Sequence, residues 1–448
     1  MNKGSRDNNL LKNFSLILMG FIISLLLAEA TVRIFPNKFV YFLGTKNSIV
    51  TVYNQDLGWI PAPQQKGQWP SYCFSVYPIC INSFGFRDGP WKTGTGFKIA
   101  VLGDSYLQAL QIPEGNYTSF ILGRLLGQEV LNAANSGYGT IDELLAYKKL
   151  LKQRKPDITI IFFCSNDIWN NSCELNKLLG WKHSQACAYL DQGELKISKN
   201  FNHLPILKPR IPDCKLKRFI RKYCFSCVVM RRFIYKYSRN GLCLGTNFAL
   251  PPVKEWGVYN VPPLKVWEDA WEITEKALSS LKKEVESSGG RLLVVSVSEY
   301  LRVSRNWRKE VKKELGRSEI PEGFDSFYPL KRLKDMLKKQ GIGYFELEPY
   351  FREYRDRFGL EPPYFSYWCD GHWNPLGHFL AAHLVARYLL EEDLVPMAKE
   401  EKENRLKKIN QDLELSPQEI LGGKAYRQIY GRGIYKGSSN ISEILQEN

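Results

Sequence analysis

The stretch Lys98-Ile-Ala-Val-Leu-Gly-Asp-Ser-Tyr106 determines how the rest of the chain is organised. Ile99 to Leu102 form an apolar run of strand length, which ends at Gly103-Asp104-Ser105. Such a run predicts a buried strand, and this strand delivers the Ser105 hydroxyl to its carboxyl end. Open α/β sheets keep their chemistry at that edge. Most serines at strand ends only satisfy nearby backbone groups, so a chemical role for Ser105 requires partners from elsewhere.

Candidate partners stand near the other end, in Tyr367-Trp-Cys-Asp-Gly-His-Trp-Asn-Pro-Leu-Gly-His378. The Asn-Pro step favours an N-cap followed by a first helical turn, so Asp370 and His372 are predicted on the loop that enters a helix. A serine hydroxyl is a poor nucleophile until a base takes its proton, and a carboxylate can orient that base. Ser105, His372 and Asp370 supply the three groups.

Two further loops follow apolar, strand-like runs. Asn132 to Thr140 follow Val130-Leu131, and Cys164-Ser-Asn-Asp167 follows the run from Ile158 to Phe163. Each loop can offer a backbone N–H group or a side-chain amide to an oxyanion at the same edge of the sheet.

Together these stretches resemble the SGNH hydrolases, also called the GDSL esterase/lipase family. Gly103-Asp104-Ser105 resembles the first sequence block, Gly137 the second-block glycine, Asn166 the third-block asparagine, and Asp370 with His372 the last block. The resemblance covers roughly residues 54–392 with one large interruption, and four blocks in the right order are far more specific than any one of them.

The resemblance implies a role for each of these residues. Ser105 is expected to be the nucleophile, His372 its base and Asp370 the carboxylate that orients the base. The N–H groups of Ser105 and Gly137, with the Asn166 amide, are expected to bind the oxyanion. No cofactor is expected, because the sequence has no phosphate-cradling glycine loop. No metal site of Asp370, His372 and His378 is expected, because the start of the following helix directs the two imidazole rings apart.

Two departures from the family pattern affect the expected reaction. Asp370 and His372 are two positions apart, whereas the corresponding residues of many members are three apart. The two-position spacing matches the Asp-x-His-Trp variant, which resembles polysaccharide O-acetyltransferase relatives. In addition, Ala109 stands where a glycine is common. The expected activity is that of a serine esterase on ester groups, O-acetyl groups above all, of an envelope or extracellular polysaccharide. A polysaccharide O-acyltransferase with the same triad and a non-catalytic glycan-binding protein are the alternatives.

The pattern of apolar runs predicts the fold. The chain has 448 residues, of which 44% are hydrophobic, so it can bury a sizeable core. Strands are predicted at about 98–103, 130–133, 157–163, 291–297 and 343–347, and helices at about 114–126, 141–153, 266–287, 329–339 and 376–391. This alternation predicts an α/β fold, a doubly wound five-stranded parallel sheet in a flavodoxin-like three-layer arrangement. The Gly-x-Ser-x-Gly elbow of the α/β-hydrolases is absent.

The expected domain organisation has a core with three additions. Residues 98–392 form the α/β domain, which is interrupted by an insertion or lid at 170–263. A membrane anchor or signal segment at 1–35 and a lead-in segment at 36–97, packing on the core, precede it. A polar C-terminal tail at 393–448 follows, with a helical piece near 398–412.

The N-terminal segment predicts export. Basic residues precede an uncharged run from Phe14 to Ala28, as in membrane-targeting segments. As a helix this run spans about 22 Å, short of the roughly 30 Å hydrocarbon core, so a cleaved signal peptide and a secreted protein are the alternative. The i,i+4 pair of Glu29 and Arg33 extends the helix to a stop at Pro36 and favours an uncleaved inner-membrane anchor. The N-terminus is then cytoplasmic and the catalytic domain extracytoplasmic.

The insertion concentrates the positive charge. Lys and Arg exceed Asp and Glu by 62 to 46, and residues 205–240 hold many of these basic side chains, interleaved with aromatics. This segment is either the solvated face of a helical insert or a surface for anionic glycans or lipid headgroups. Nucleic acid is disfavoured as a partner because export separates the chain from it.

The cysteines agree with export. Their number, 10, is even, which suits a compartment where thiols pair as disulfides. Cys73 with Cys80 and Cys173 with Cys187 are plausible local pairs, although the sequence alone does not determine pairing.

Overall fold

The computed structural model describes residues 4–34, 48–69, 77–92, 94, 96–179, 185–199, 255–315, 318–367 and 371–422. The basic segment 205–240 and the candidate acid Asp370 lie outside these residues. The N-terminal helix belongs to one compact unit of the chain and the parallel sheet to another.

The N-terminal helix runs from Gly4 to Ile34. Arg33 Nε donates to Glu29 Oε1 at 2.9 Å, so the helix continues beyond Ala28, as the i,i+4 spacing of this pair predicts. Its apolar part, Leu16–Ile34, has 19 residues, or about 28 Å at the helical rise per residue. By length and composition this helix can cross a membrane, and a signal sequence meets the same criterion.

Five strands of the second unit form a parallel sheet. They are β1 (Lys98–Gly103), β2 (Glu129–Asn132), β3 (Ile158–Phe163), β4 (Arg291–Ser296) and β5 (Gly343–Glu346). Their order in the sheet is β2-β1-β3-β4-β5, and every neighbouring pair is parallel. This confirms the predicted doubly wound sheet. The direction of winding reverses between β1 and β3, which makes the carboxyl ends of these two strands the topological switch point.

Helices connect the strands and cover both faces. In this unit they are Ser105–Gln108, Thr118–Leu126, Thr140–Ala146, Asp167–Asn171, Cys173–Leu178, Lys265–Ser287, Tyr300–Val303, Trp307–Leu315, Tyr328–Gln340, Glu348–Arg357, Pro375–Glu391, Lys399–Leu413 and Pro417–Leu421. The helix predicted at 141–153 is α-helical only to Ala146; a π-helical turn, Tyr147–Leu151, and a 3-10 turn, Lys152–Arg154, complete it.

Alternation along the strands divides the core into two layers. Ile99 and Val101 of β1 pack in one apolar cluster with Leu376 and Leu380 of helix Pro375–Glu391. The intervening residues of the same strand pack in a second cluster, with Trp267 and Trp271 of helix Lys265–Ser287. Successive side chains of a strand point to opposite faces, so a continuous apolar run is what a sheet covered on both sides requires.

Segments on both sides of the α/β core add to it. Leu57, Ile60 and Phe86 of the lead-in are buried in the second cluster. Ile409 of helix Lys399–Leu413 is buried in the first, and Arg405 Nη1 donates to Leu125 O at 2.7 Å. The packed core therefore extends beyond residue 392.

The first part of the insertion is fixed by a disulfide. Cys173 and Cys187 are bonded at 2.02 Å, which confirms one of the two plausible pairs. This bond ties helix Cys173–Leu178 to a hairpin of strands Cys187–Asp191 and Glu194–Ser198. Cys80 is an exposed free thiol, and Cys73 lies outside the described residues.

Gly377, in helix Pro375–Glu391, lies so close to the preceding chain that a substitution there tests how the two are packed. A Cβ there would lie 2.6 Å from Phe365 O and 2.9 Å from Trp373 Cβ. Alanine normally stabilises a helix interior relative to glycine by about 1 kcal/mol, whereas we expect Gly377→Ala to lower the free energy of unfolding by about 1–3 kcal/mol through overpacking. Denaturant unfolding measures the change.

Gly89→Ala is the control for this prediction, because a Cβ at Gly89 has no atom within 4 Å. Its stability should match that of the wild type. A stable Gly377→Ala variant would contradict the described packing between helix Pro375–Glu391 and the chain before it.

Candidate active site

Ser105 stands at the switch point because of the way β1 ends. Asp104 caps the short helix Ser105–Gln108, and its Oδ1 accepts from Tyr106 N at 2.8 Å. The cap makes Ser105 the first residue of that helix, directly after the strand. Ser105 itself is half-buried.

The structure brings His372 to Ser105. Ser105 Oγ and His372 Nε2 are 2.6 Å apart, although 267 positions separate the two residues in the sequence. His372 lies just before helix Pro375–Glu391, whose N-cap is Asn374 as predicted; Asn374 Oδ1 accepts from Leu376 N at 2.9 Å. If His372 Nε2 accepts the Ser105 proton, the imidazole carries its own proton on Nδ1.

Aromatic residues hold the loop at 371–373 (the histidine loop) against helix Ser105–Gln108 (the serine helix). Tyr106 Oη donates to Gly371 O at 3.1 Å, and its ring lies 5.0 Å from the His372 ring. Trp373 is fully buried, and its Nε1 donates to Ser298 O at 2.9 Å. The residues on both sides of His372 are therefore fixed by contacts with other parts of the fold.

Asn166 follows β3, the neighbour of β1. Its Nδ2 donates to Asp104 Oδ2 at 2.9 Å, which occupies one of its two N–H bonds; no acceptor among the described residues takes up the other. Asp104 is almost fully buried, and burial raises the pKa of its carboxyl even though the Tyr106 N–H group acts in the opposite direction. Asp104 thus orients Asn166 and caps the helix that begins at Ser105.

Gly137 lies on the loop after β2. Asn135 N donates to Gly103 O at 3.1 Å, so this loop is attached directly to the end of β1. Gly137 has a φ of +80°, a conformation that suits glycine. In the described parts of the chain, no acceptor takes up the backbone N–H groups of Ser105 and Gly137. Together with the Asn166 amide, these two N–H groups make three candidate donors, and each of them follows one of three adjacent strands.

A buried ion pair behind Asn166 was missed by sequence reasoning. Glu299, in the connection after β4, forms it with Arg302 at 3.0 Å. The Glu299 carboxylate accepts from Cys164 Sγ, Ser165 N, Tyr259 Oη and Arg302 Nη1. Burial would raise the pKa of Glu299, but Arg302 and the Ser165 N–H group outweigh it and the pKa is lowered. An ionised carboxylate thus holds the two residues that precede Asn166.

The remaining histidines of the described chain are structural. His378 Nδ1 lies 2.8 Å from Thr118 Oγ1, and burial lowers the pKa of its imidazole to about 3. His383 is buried and its Nδ1 lies 2.8 Å from Phe379 O. Among the described residues, no group of His, Cys, Asp and Glu has an arrangement that could hold a metal.

The chain has distant similarity to proteins of known structure. No family model and no curated protein matches the chain. Axe2, an acetylxylan esterase from Geobacillus stearothermophilus, is similar at 14% identity and a TM-score of 0.34, over 69% of this chain and 98% of that one. LAE5, an alpha/beta hydrolase from the metagenome of Lake Arreo, Spain, is similar at 13% identity and a TM-score of 0.34, over 68% of this chain and 98% of that one.

At TM-scores this low, the likeness carries no weight in assigning an activity to this chain. The activity has to be inferred from the serine, the imidazole and the candidate donors around them.

The hydroxyl of Tyr106 gives a test of how the histidine loop is held. We expect Tyr106→Phe to slow hydrolysis of 4-nitrophenyl acetate by up to about tenfold, because the hydrogen bond to Gly371 O stabilises the loop by a net 0.5–1.5 kcal/mol or so. Steady-state kinetics of the purified variant measure the effect.

Tyr147→Phe is the matched control. It removes a hydrogen bond of 2.6 Å to Ser288 Oγ, at the amino edge of the sheet, and should leave the rate unchanged. Equal losses in the two variants would show that the Tyr106 hydroxyl acts only through stability.

Proposed function

We propose that this chain is a serine esterase of the SGNH kind, with Ser105 as nucleophile and His372 as its general base. The observation that carries the proposal is the 2.6 Å contact between Ser105 Oγ and His372 Nε2, at the switch point of a doubly wound sheet. Hydrogen bonding between a nucleophile and a base within about 2.6–3.2 Å is the signature of covalent catalysis.

The proposed reaction proceeds through an acyl-enzyme. His372 Nε2 takes the Ser105 proton as Oγ attacks the ester carbonyl, and the carbonyl oxygen becomes an oxyanion. The N–H groups of Ser105 and Gly137 and the free N–H bond of Asn166 are assigned to bind that oxyanion. His372 then gives its proton to the departing alcohol, and Asp370 is assigned to orient the imidazole and stabilise its charged form. In the second half of the reaction His372 takes a proton from water as its oxygen attacks the acyl group, and then returns a proton to Ser105 Oγ as the acyl–oxygen bond to Ser105 breaks and the carboxylic acid leaves.

The proposed substrate is an O-acetylated polysaccharide of the cell envelope or the extracellular space. Two observations support an exported enzyme: the helix Gly4–Ile34 with its apolar span, and the disulfide Cys173–Cys187, which is typical of oxidising compartments. In this proposal the helix anchors the chain in the inner membrane with its N-terminus in the cytoplasm. The basic segment 205–240 is proposed to contact an anionic glycan or lipid surface.

Substitutions of the proposed catalytic residues test whether they act as one unit. We expect Ser105→Ala and His372→Ala each to lower kcat on an acetylated glycan by at least about 10³-fold, and the double variant to be little worse, since neither residue activates the hydroxyl alone. Asp370→Asn should be severe but milder. Turnover should fall at low pH, because a protonated imidazole cannot accept the Ser105 proton.

The outcome for Ser105→Ala also decides the non-catalytic alternative. A variant that keeps its biological function without turnover would favour a glycan-binding protein. Multiplicative losses in the double variant would mean that Ser105 and His372 do not share a step.

The acceptor distinguishes an esterase from an O-acyltransferase with the same triad. We expect mass spectrometry of acetylated oligosaccharides incubated with the full-length protein to show free acetate and products lighter by acetyl groups. Acetyl groups recovered on a second, initially unmodified oligosaccharide would instead identify the transferase. The Ser105→Ala protein is the control for spontaneous loss or migration of acetyl groups.

A further inference from the structure

The side chain of Gln108 joins the serine helix to the loop that carries Gly137. Gln108 is the last residue of helix Ser105–Gln108 and is only 2% exposed. Its Oε1 accepts from Ser136 N at 3.1 Å and from Ser136 Oγ at 2.5 Å. Its Nε2 donates to Asn135 Oδ1 at 2.8 Å. One amide therefore holds the two residues that precede Gly137.

Backbone groups at both ends fix the orientation of this amide. Ser136 N can only donate, so it must face Gln108 Oε1. Asn135 Nδ2 donates to Trp59 O at 3.0 Å, a carbonyl that can only accept, so Asn135 Oδ1 must face Gln108 Nε2. Turning either amide over would place donor against donor or acceptor against acceptor.

The same amide is rigidly connected to Ser105. Gln108 N donates to Asp104 O at 3.0 Å, and Ala109 N donates to Ser105 O at 3.1 Å, so Ser105 and Gln108 belong to one closed turn. On its outer side the loop is held by Gln185, whose Nε2 donates to Ser136 O at 3.2 Å. The loop therefore lies between two glutamine side chains, of which Gln108 is the one linked to the nucleophile.

We propose that Gln108 is a positioning residue that sets the distance between the oxyanion donors of Ser105 and Gly137. The inference rests on the proposed function and adds a residue to which the family resemblance assigns no role. An oxyanion is stabilised only when its donors lie about 2.7–3.1 Å away, and a misplacement of about 1 Å can cost 10²-fold in rate. Gln108 acts through Ser136 and Asn135 and does not touch the reacting atoms.

A positioning role predicts a particular kinetic pattern. The donors bind the oxyanion of the transition state more strongly than the carbonyl of the bound ester, so their displacement lowers kcat and leaves KM nearly unchanged. A purely structural role would lower the folded fraction and leave kcat per folded molecule at the wild-type value.

The test uses the full-length protein with 4-nitrophenyl acetate. Gln108→Met keeps the length of the side chain and removes its hydrogen bonds. We expect kcat per folded molecule to fall by about 10²-fold with KM within about threefold of wild type, circular dichroism giving the folded fraction. Gln340→Met is the matched control: Gln340 Nε2 donates to Glu275 O at 3.0 Å at the amino edge of the sheet, and its loss should leave kcat unchanged.

Three outcomes separate this inference from the proposed function. An inactive Ser105→Ala protein with a wild-type kcat in Gln108→Met overturns the inference alone. Turnover retained by Ser105→Ala overturns both. Where Gln108→Met does not fold, Gln108→Glu applies the same criterion, because it keeps the acceptor for Ser136 and loses only the donor to Asn135; a wild-type kcat per folded molecule in that variant overturns the inference as well.

Discussion

The hydrogen bond between Ser105 Oγ and His372 Nε2 depends on almost every layer of the fold. The serine is placed by a buried strand and the Asp104 cap. The histidine is placed by the start of helix Pro375–Glu391, which packs on the same face of the sheet as Ile99 and Val101. Since the two residues come from distant parts of the chain, a shift of either layer would separate the base from the nucleophile.

Several acidic groups near the site are buried, and burial changes the pKa of their carboxyl groups. Burial raises the pKa of Asp104, Glu143 and Asp167, and that of Asp142 to about 8. Both Glu143 oxygens are buried without a hydrogen-bond partner in the described structure, where a charge would be costly. Glu299 is the contrast: it pairs with Arg302 and its pKa is lowered. A carboxyl whose pKa is raised by burial, or one paired with a cation, opposes an oxyanion forming nearby less than an isolated carboxylate would.

Much of this arrangement follows from local sequence. The strands are largely apolar runs, so their predicted bounds lie within a residue or two of the observed ones. Ser105, Asn166 and His372 could be singled out because strand ends and helix starts are visible in the pattern. The helices Ser105–Gln108 and Asp167–Asn171 are too short to show a helical period.

Residues that act through long-range contacts could not be found in this way. Gln108 is one polar residue in an apolar stretch until the loop after β2 is seen beside it. Glu299 and Arg302 resemble an ordinary surface pair at i,i+3, and only the fold shows them buried against Ser165. One cue was available for Glu299, since it follows the fourth strand at the edge where the other site residues lie.

The state of the Ser105 hydroxyl tests the central claim most directly. The full-length protein and its His372→Ala variant can be treated with a fluorophosphonate probe, and the modified residue identified by peptide mass spectrometry. Activation of Ser105 by His372 predicts labelling of Ser105 in the wild type and its loss in the variant. Full labelling without His372, or labelling of a different serine, would contradict the account.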